Sequence, residues 1–94
     1  MTYYVYILSN MNRTVLYIGV TNNIRKRLEE HKDAANRQNF TAKYNCNVLV
    51  YYEEHINIHT AIEREKQLKN WKREWKEELI HTINPLMEDL SIHL

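Results

Sequence analysis

The stretch YYVYILSNMNRTVLYIGV, residues 3–20, decides the fold of this chain. Residues 3–8 are apolar at every position, and residues 14–20 largely repeat that character after the mostly polar segment 9–13. Short apolar runs separated by polar turn residues are typical of strands that are buried on both faces. The stretch therefore predicts a β-hairpin within a covered sheet.

The length of the hairpin loop fixes which residues face each other. If residues 10–13 form the loop, Tyr6 pairs with Tyr17 and Tyr4 pairs with Gly19. Because side chains alternate along a strand, these four residues share one face of the sheet. The predicted face carries three phenols and one gap, the gap being at Gly19.

The rest of the chain predicts one more strand and three helices. Helix-capping residues precede the first helix, and the last helix ends near Asn84 because a residue before proline disfavours helical geometry. We expect a helix over 22–35, a loop over 36–47, a strand over 48–52, a long helix over 57–75 and a short helix over 77–82. This order predicts an α+β fold with a small three-stranded, mostly antiparallel sheet flanked by helices.

Length and composition restrict the class of protein. A chain of 94 residues is too short for two independent cores, so residues 1–94 are expected to form a single domain. The one cysteine, Cys46, excludes an internal disulfide and a thiolate zinc site, and it fits a reducing compartment. No basic leader and no run of about 18 apolar residues is seen. We therefore expect a cytoplasmic protein without membrane contact; the oligomeric state is taken as monomeric.

Two polar residues border the apolar face of the first predicted helix. At 100° per residue, Arg27 and His31 project beside Ile24 and Leu28. An arginine fork and an imidazole at this spacing can hold a phosphate together. The alternative is an arginine and a histidine that only border the core.

Glu65 is the acidic residue whose position on the long predicted helix needs an explanation. The apolar stripe of that helix consists of Ala61, Leu68, Trp71 and Trp75. Glu65 projects onto the edge of this stripe, whereas Glu63 points to the opposite side. A carboxylate near a core is costly unless it is paired or binds a metal. A single carboxylate with water suits Mg²⁺, and the alternative is an ion pair with Lys69.

Basic residues are frequent on both predicted helices. Lys26 on the first helix, and Lys69 and Lys72 on the second, are candidates for phosphate contacts. Mixed charges on exposed helices also form ordinary solvated surfaces, so these lysines do not decide the function. The net charge of +1 does not decide it either.

The order of the motifs resembles the GIY-YIG nuclease family over most of the chain. The matching blocks are YVYIL, LYIGVT, RKRLEEHK, LVYYEE, REKQLKNW and INP followed by DL. They look like the small stand-alone bacterial members, which resemble the nuclease module of an excision-repair incision subunit. Two positions depart from the pattern, because Tyr4 stands where the name-giving glycine would be and Met87 stands where relatives commonly show tryptophan.

The resemblance implies a role for each matching residue. Glu65 would hold one Mg²⁺ or Mn²⁺ ion, and Arg27 and His31 would contact or polarise the scissile phosphate. Tyr6 would be the general base and Tyr17 would orient the water or the phosphate, although these two roles can be exchanged. Asn84 would close the site through its side-chain amide. Lys43, in the loop, would assist in binding nucleic acid.

The implied function is that of a metal-dependent endonuclease acting on nucleic acid, with DNA favoured over RNA. Low sequence specificity is expected, with a role in DNA repair or processing. Two alternatives remain, a non-catalytic nucleic-acid-binding module and a protein-interaction subunit with the same fold. The binding module is disfavoured because every matched polar position is present. The interaction subunit would leave Glu65 at the edge of an apolar stripe unexplained.

Overall fold

A computed structural model describes residues 1–32 and 45–94 of the chain. Residues 33–44, which include Lys43, lie outside the described residues. The elements, in chain order, are β1 (Tyr3–Ser9), β2 (Leu16–Thr21), α1 (Ile24–Lys32), β3 (Val48–His55), α2 (Ile58–Asn70), α3 (Arg73–His81) and a 3₁₀ helix (Leu90–His93). The predicted α+β fold with a three-stranded sheet is confirmed.

The sheet has the order β2-β1-β3, and β1 pairs antiparallel with both neighbours. The side chains of β1 alternate between two cores. Val5 and Ile7 pack with residues of α2 and α3, whereas Tyr6 and Leu8 pack with residues of α1. Residues 3–8 of the central strand are all apolar, which suits a strand whose two faces are both covered by helices.

The predicted hairpin is confirmed, but its predicted register is wrong by two residues. Tyr6 lies opposite Gly19, and Leu8 lies opposite Tyr17. A shift of two residues keeps every side chain on its predicted face, because the side-chain period of a strand is also two. Tyr4, Tyr6, Tyr17 and Gly19 therefore still share a face, and Gly19 now faces the Tyr6 ring.

The side chain of Asn10 explains the longer loop. Its Oδ1 atom accepts hydrogen bonds from the backbone N–H groups of Thr14 and Val15, at 2.8 and 3.1 Å. Arg13 adopts a positive φ of 58°, which turns the chain before these two residues. Thr14 and Val15 thus belong to the loop, and the strand resumes only at Leu16.

The predicted long helix over 57–75 is wrong in its last part, where the chain breaks into α2 and α3. Trp71 and Lys72 both have extended backbone, with ψ of 151°. Trp71 packs against the core beneath α2, and the turn after it directs α3 so that Ile80 is buried in the same core. Tertiary packing here overrides a sequence with good local helix propensity.

The other elements lie near their predicted positions. β3 continues past the predicted end at residue 52, and α1 begins after Asn23, whose Oδ1 accepts from the backbone N–H of Lys26 at 3.1 Å. Among the described residues, no helix combines the length and the apolar character needed to cross a bilayer.

Candidate active site

Three aromatic side chains meet on the face of the sheet that α1 covers. Tyr6 of β1, Tyr17 of β2 and His31 of α1 have ring centroids 5.5 to 6.4 Å apart. The Oη atom of Tyr6 lies 3.2 Å from Nε2 of His31, within hydrogen-bonding distance. The structure thus brings three of the predicted site residues into one group, which we call the ring cluster.

Gly19 makes room for the ring cluster. A Cβ atom at this position would lie 2.5 Å from Cζ of Tyr6 and closer still to its Oη. Gly19 has no positive φ, so its backbone conformation suits any residue. The missing side chain therefore serves the close approach of the Tyr6 ring to the backbone of β2.

The surroundings of the ring cluster keep Tyr6 and His31 neutral. Burial first, and then the Tyr17 phenol, raise the pKa of Tyr6 well above its ordinary value. The charge of Glu65 also raises this pKa, whereas Arg27 lowers it. Burial and the Arg27 charge lower the pKa of His31 from 6.5. A neutral imidazole has one accepting nitrogen, so Nε2 can receive the Tyr6 proton when Nδ1 carries the ring hydrogen.

Arg27 of α1 lies near the ring cluster. Its guanidinium lies 3.5 Å from Glu30, and both side chains are 43% exposed. An exposed pair at this spacing is weak and is easily exchanged for a stronger anion. Because its charge acts on both Tyr6 and His31, Arg27 can bind a phosphate that enters next to them.

Glu65 approaches the cluster from α2. Its side chain is 22% exposed, whereas Glu63 is exposed to solvent, as the helix projection predicts. Lys69 lies 3.4 Å from the Glu65 carboxylate, so the ion pair that the sequence offered as an alternative is also formed. The lysine side chain is 53% exposed, and such a pair does not prevent the carboxylate from binding a cation.

Comparisons with known proteins identify the family of this chain. The family model for the GIY-YIG catalytic domain matches residues 2–78. This chain belongs to the GIY-YIG family. A UPF0213 protein from Natronomonas pharaonis is 36% identical over 78 residues, covering 83% of this chain and 89% of the relative. A UPF0213 protein from Syntrophus aciditrophicus is 38% identical over 77 residues, covering 82% and 87%.

A solved structure supports the fold of this GIY-YIG domain. The solution structure of a UPF0213 protein from Bacillus halodurans has a TM-score of 0.60 and 24% identity, and the match covers 97% of this chain and 95% of the other. The family resemblance and the small stand-alone type that the sequence predicts are therefore confirmed.

The donor atoms of the GIY-YIG domain fit a hydrated divalent cation. Over residues 1–32 and 45–94, no three His, Cys, Asp or Glu side chains gather in a way that would enclose a metal ion. Glu65 is then a candidate for a single carboxylate ligand. Mg²⁺ and Mn²⁺ accept this kind of site because they bind through one or two carboxylates and keep water ligands. Zinc needs three or four protein ligands, and the described residues contain no such group.

The side-chain amide of Asn84 connects β3 with the C-terminal segment. It is buried, and its amide nitrogen donates to the carbonyl oxygens of Val50, at 2.9 Å, and Glu88, at 2.8 Å. Its Oδ1 accepts from the N–H of Glu88 at 3.0 Å. Val50 is the extra residue of a bulge opposite Ile7 and Leu8. The amide has no donor left for a phosphate, so these bonds support a structural role and do not support the predicted one.

The predicted lysine contacts fall into separate places. Lys69 is near Glu65, and Lys72 holds its ammonium 5.7 Å from the ring centroid of Trp75. Lys26 is exposed on α1. Lys76, which was not predicted as a site residue, lines a groove with Lys69 and the β2 residues Leu16, Tyr17 and Ile18. We call this the β2 groove.

Sequence reasoning also missed a charged network between β3 and α2. The carboxylate of Glu53 accepts from Tyr51 Oη at 2.6 Å and from Arg64 Nε at 3.1 Å, and it lies 2.6 Å from His55 Nε2. Burial and the bond to Glu53 raise the pKa of Tyr51 to about 12. The period of two in Tyr51, Glu53 and His55 was the available signal, because it places them on one face of a strand. Arg64 directly precedes Glu65, so the network fixes α2 beside the site.

Proposed function

We propose that this protein is a metal-dependent endonuclease that hydrolyses phosphodiester bonds in DNA with low sequence specificity, in DNA repair or processing. The observation that carries the proposal is the ring cluster, on which the charges of Arg27 and Glu65 act from two sides. An arginine, a carboxylate and a proton-transfer pair recognise a phosphodiester and not the edges of bases. Membership in the GIY-YIG family supports the same class of chemistry.

In the proposed mechanism, Tyr6 and His31 act together as the general base. The raised pKa of Tyr6 means that its phenol is protonated at neutral pH and cannot remove a proton alone. As the Oη atom takes a proton from the attacking water, the phenol passes its own proton to Nε2 of the neutral His31. Tyr17, next to both rings, orients the water or the phosphate.

Arg27 and Glu65 stabilise the negative charge that develops on the phosphate. Arg27 donates to the non-bridging phosphate oxygens, whose charge grows in the transition state. Glu65 would hold the divalent cation, which would supply Lewis-acid stabilisation of the charge that develops during the reaction. Asn84 contributes indirectly, by keeping β3 and the C-terminal segment in place.

An assay on labelled oligonucleotides tests the proposed activity. Wild-type protein is incubated with single-stranded, duplex and branched DNA, and with RNA of matched sequence, in Mg²⁺ or Mn²⁺ and with EDTA. We expect cuts within the DNA strand that require the cation and stop with EDTA. Binding without cutting in either metal ion would instead identify a non-catalytic binding module.

The pH profile of cleavage tests the role of His31. Only neutral His31 accepts a proton, so the rate should fall as the pH drops through its pKa, which lies below the ordinary 6.5. Arg27→Gln removes one of the two influences that lower this pKa. The acidic limb of kcat/KM, measured on the residual activity, should therefore move to higher pH.

Arg25→Gln is the matched control for this measurement, because Arg25 is an exposed arginine on the same helix. Its acidic limb should coincide with that of the wild type. An acidic limb that stays in place or moves to lower pH in Arg27→Gln would remove His31 from the proton-transfer step.

A further inference from the structure

Trp75 is the one aromatic residue among the large hydrophobic side chains that the described part of the chain exposes, and it is 47% exposed. Its ring packs edge to face on Trp71, with centroids 6.2 Å apart and an angle of 84°. The two indoles form a groove of about 340 Å³ together with Glu78, Leu79 and Thr82. This volume is at the lower end of pockets that hold small ligands, roughly 300–1,000 Å³. We call it the tryptophan groove.

One cation lies near each indole ring, and that of Arg64 is also paired with Glu53. The ammonium of Lys72 lies 5.7 Å from the centroid of Trp75, and the guanidinium of Arg64 lies 5.3 Å from that of Trp71. A ligand that suits this groove therefore has flat apolar rings and negative charge in alternation. An apolar peptide lacks the charge, and an acidic peptide lacks the rings. A nucleic acid strand has both, since its bases stack on aromatic side chains while its phosphates meet basic ones.

Residues of α3 line both the tryptophan groove and the β2 groove. Lys76 follows Trp75 on α3 and also lines the β2 groove, where it lies with Tyr17 and Lys69. A strand whose phosphate is held at the ring cluster can follow the β2 groove past these lysines and reach Trp75 within the same molecule. Glu78, on the wall of the tryptophan groove, repels a phosphate and accepts a hydrogen bond from an amino group of a base.

We propose that the tryptophan groove binds an unpaired nucleobase of a single strand that flanks the scissile phosphate. The base stacks on Trp75, Lys72 contacts the adjoining phosphate, and Lys69 and Lys76 contact the strand in the β2 groove. Bases within a duplex already stack on their neighbours and expose only their edges, so they do not occupy the groove. The inference rests on the proposed function and narrows it: the substrate is single-stranded, or is a branched molecule with a single-stranded arm.

The two tryptophans of the chain, Trp71 and Trp75, both line this groove, so intrinsic tryptophan fluorescence reports on it alone. The experiment titrates wild-type protein in EDTA, where no cleavage competes, with a fluorescein-labelled single strand and with the duplex of the same sequence. We expect the single strand to quench tryptophan emission and to bind by anisotropy, whereas the duplex leaves the emission unchanged. Trp75→Ala should weaken single-strand binding about tenfold or more, in line with the loss of one stacked base.

Trp75→Phe, which keeps an aromatic ring, should restore most of the affinity. Ile56→Ala, at a side chain that is 91% exposed, is the matched control and should bind as the wild type does. Circular dichroism confirms that each variant is folded. Equal single-strand affinity of wild type and Trp75→Ala would overturn the proposal. So would a dimer in sedimentation that Trp75→Ala dissociates, since the groove would then be a protein interface.

The outcome is separable from that of the nuclease assay. If the wild-type protein binds a single strand through Trp75 but cuts no DNA, the inferred binding site is supported and the proposed nuclease activity is contradicted. If the wild type and Trp75→Ala cut DNA equally well, the proposed nuclease activity is supported and the inferred binding site is overturned.

Discussion

Replacing Glu65 by glutamine is expected to reduce metal-dependent cleavage by at least about 100-fold, because charge stabilisation by a bound cation supplies several kcal/mol of the barrier reduction. Glutamine keeps the size of the side chain and removes the negative charge that holds the cation. The pair with the half-exposed Lys69 is also lost, but such a pair contributes little to folding, on the order of 1 kcal/mol or less. Initial cleavage rates and urea unfolding measure the two effects separately.

Glu63→Gln is the matched control for this substitution, since Glu63 lies on the same helix and points into solvent. It should cut DNA at the wild-type rate. Binding of Mn²⁺, followed by its electron paramagnetic resonance signal, should weaken in Glu65→Gln and remain unchanged in Glu63→Gln. Equal rates for wild type and Glu65→Gln would mean that the carboxylate of Glu65 serves only its ion pair.

The second large effect is expected at Gly19. Gly19→Ala places a methyl group against the Tyr6 ring, which is 2% exposed and has no room to retreat. We expect a loss of about 1–3 kcal/mol in the free energy of unfolding, the usual cost of overpacking a core. We also expect cleavage to fall by up to about 100-fold, because a displacement of roughly 1 Å at a reacting group has effects of this size.

A double-mutant cycle with Tyr6→Ala identifies the cause. Tyr6→Ala alone should cost about 3–5 kcal/mol, as for other large aromatic residues in a core. In the Gly19→Ala background it should cost less, because the removed ring is the group that the new methyl contacts. Strictly additive costs would show that Gly19 is required for a reason other than contact with Tyr6.

Local sequence patterns predicted much of the fold. The two apolar runs of the hairpin predicted β1 and β2, and the capping residues predicted the start of α1, because these signals lie within a few residues of the structure that they specify. The contrast between Glu65 and Glu63 was also predictable, since the helical period alone separates an edge position from an exposed one.

The errors have tertiary causes. The register was missed because the Asn10 side chain, and not the backbone alone, sets the length of the hairpin loop. The break at Trp71 was missed because it depends on the core that Trp71 and Ile80 share. The hydrogen bond from Asn84 to Val50, 34 residues away along the chain, is likewise a contact that no local pattern reports.

The ion pair between Arg64 and Glu53 has a consequence for the motion of the site. Arg64 and Glu65 are neighbours on α2, so any rotation of this helix about its axis that carries Glu65 away from Tyr6 also pulls Arg64 from the Glu53 carboxylate. The ion pair therefore opposes small thermal rotations of α2 next to Glu65. We expect NMR relaxation to show a smaller amplitude of nanosecond motion for the Glu65 side chain than for that of Glu63. Little conformational entropy would then be lost when a cation binds.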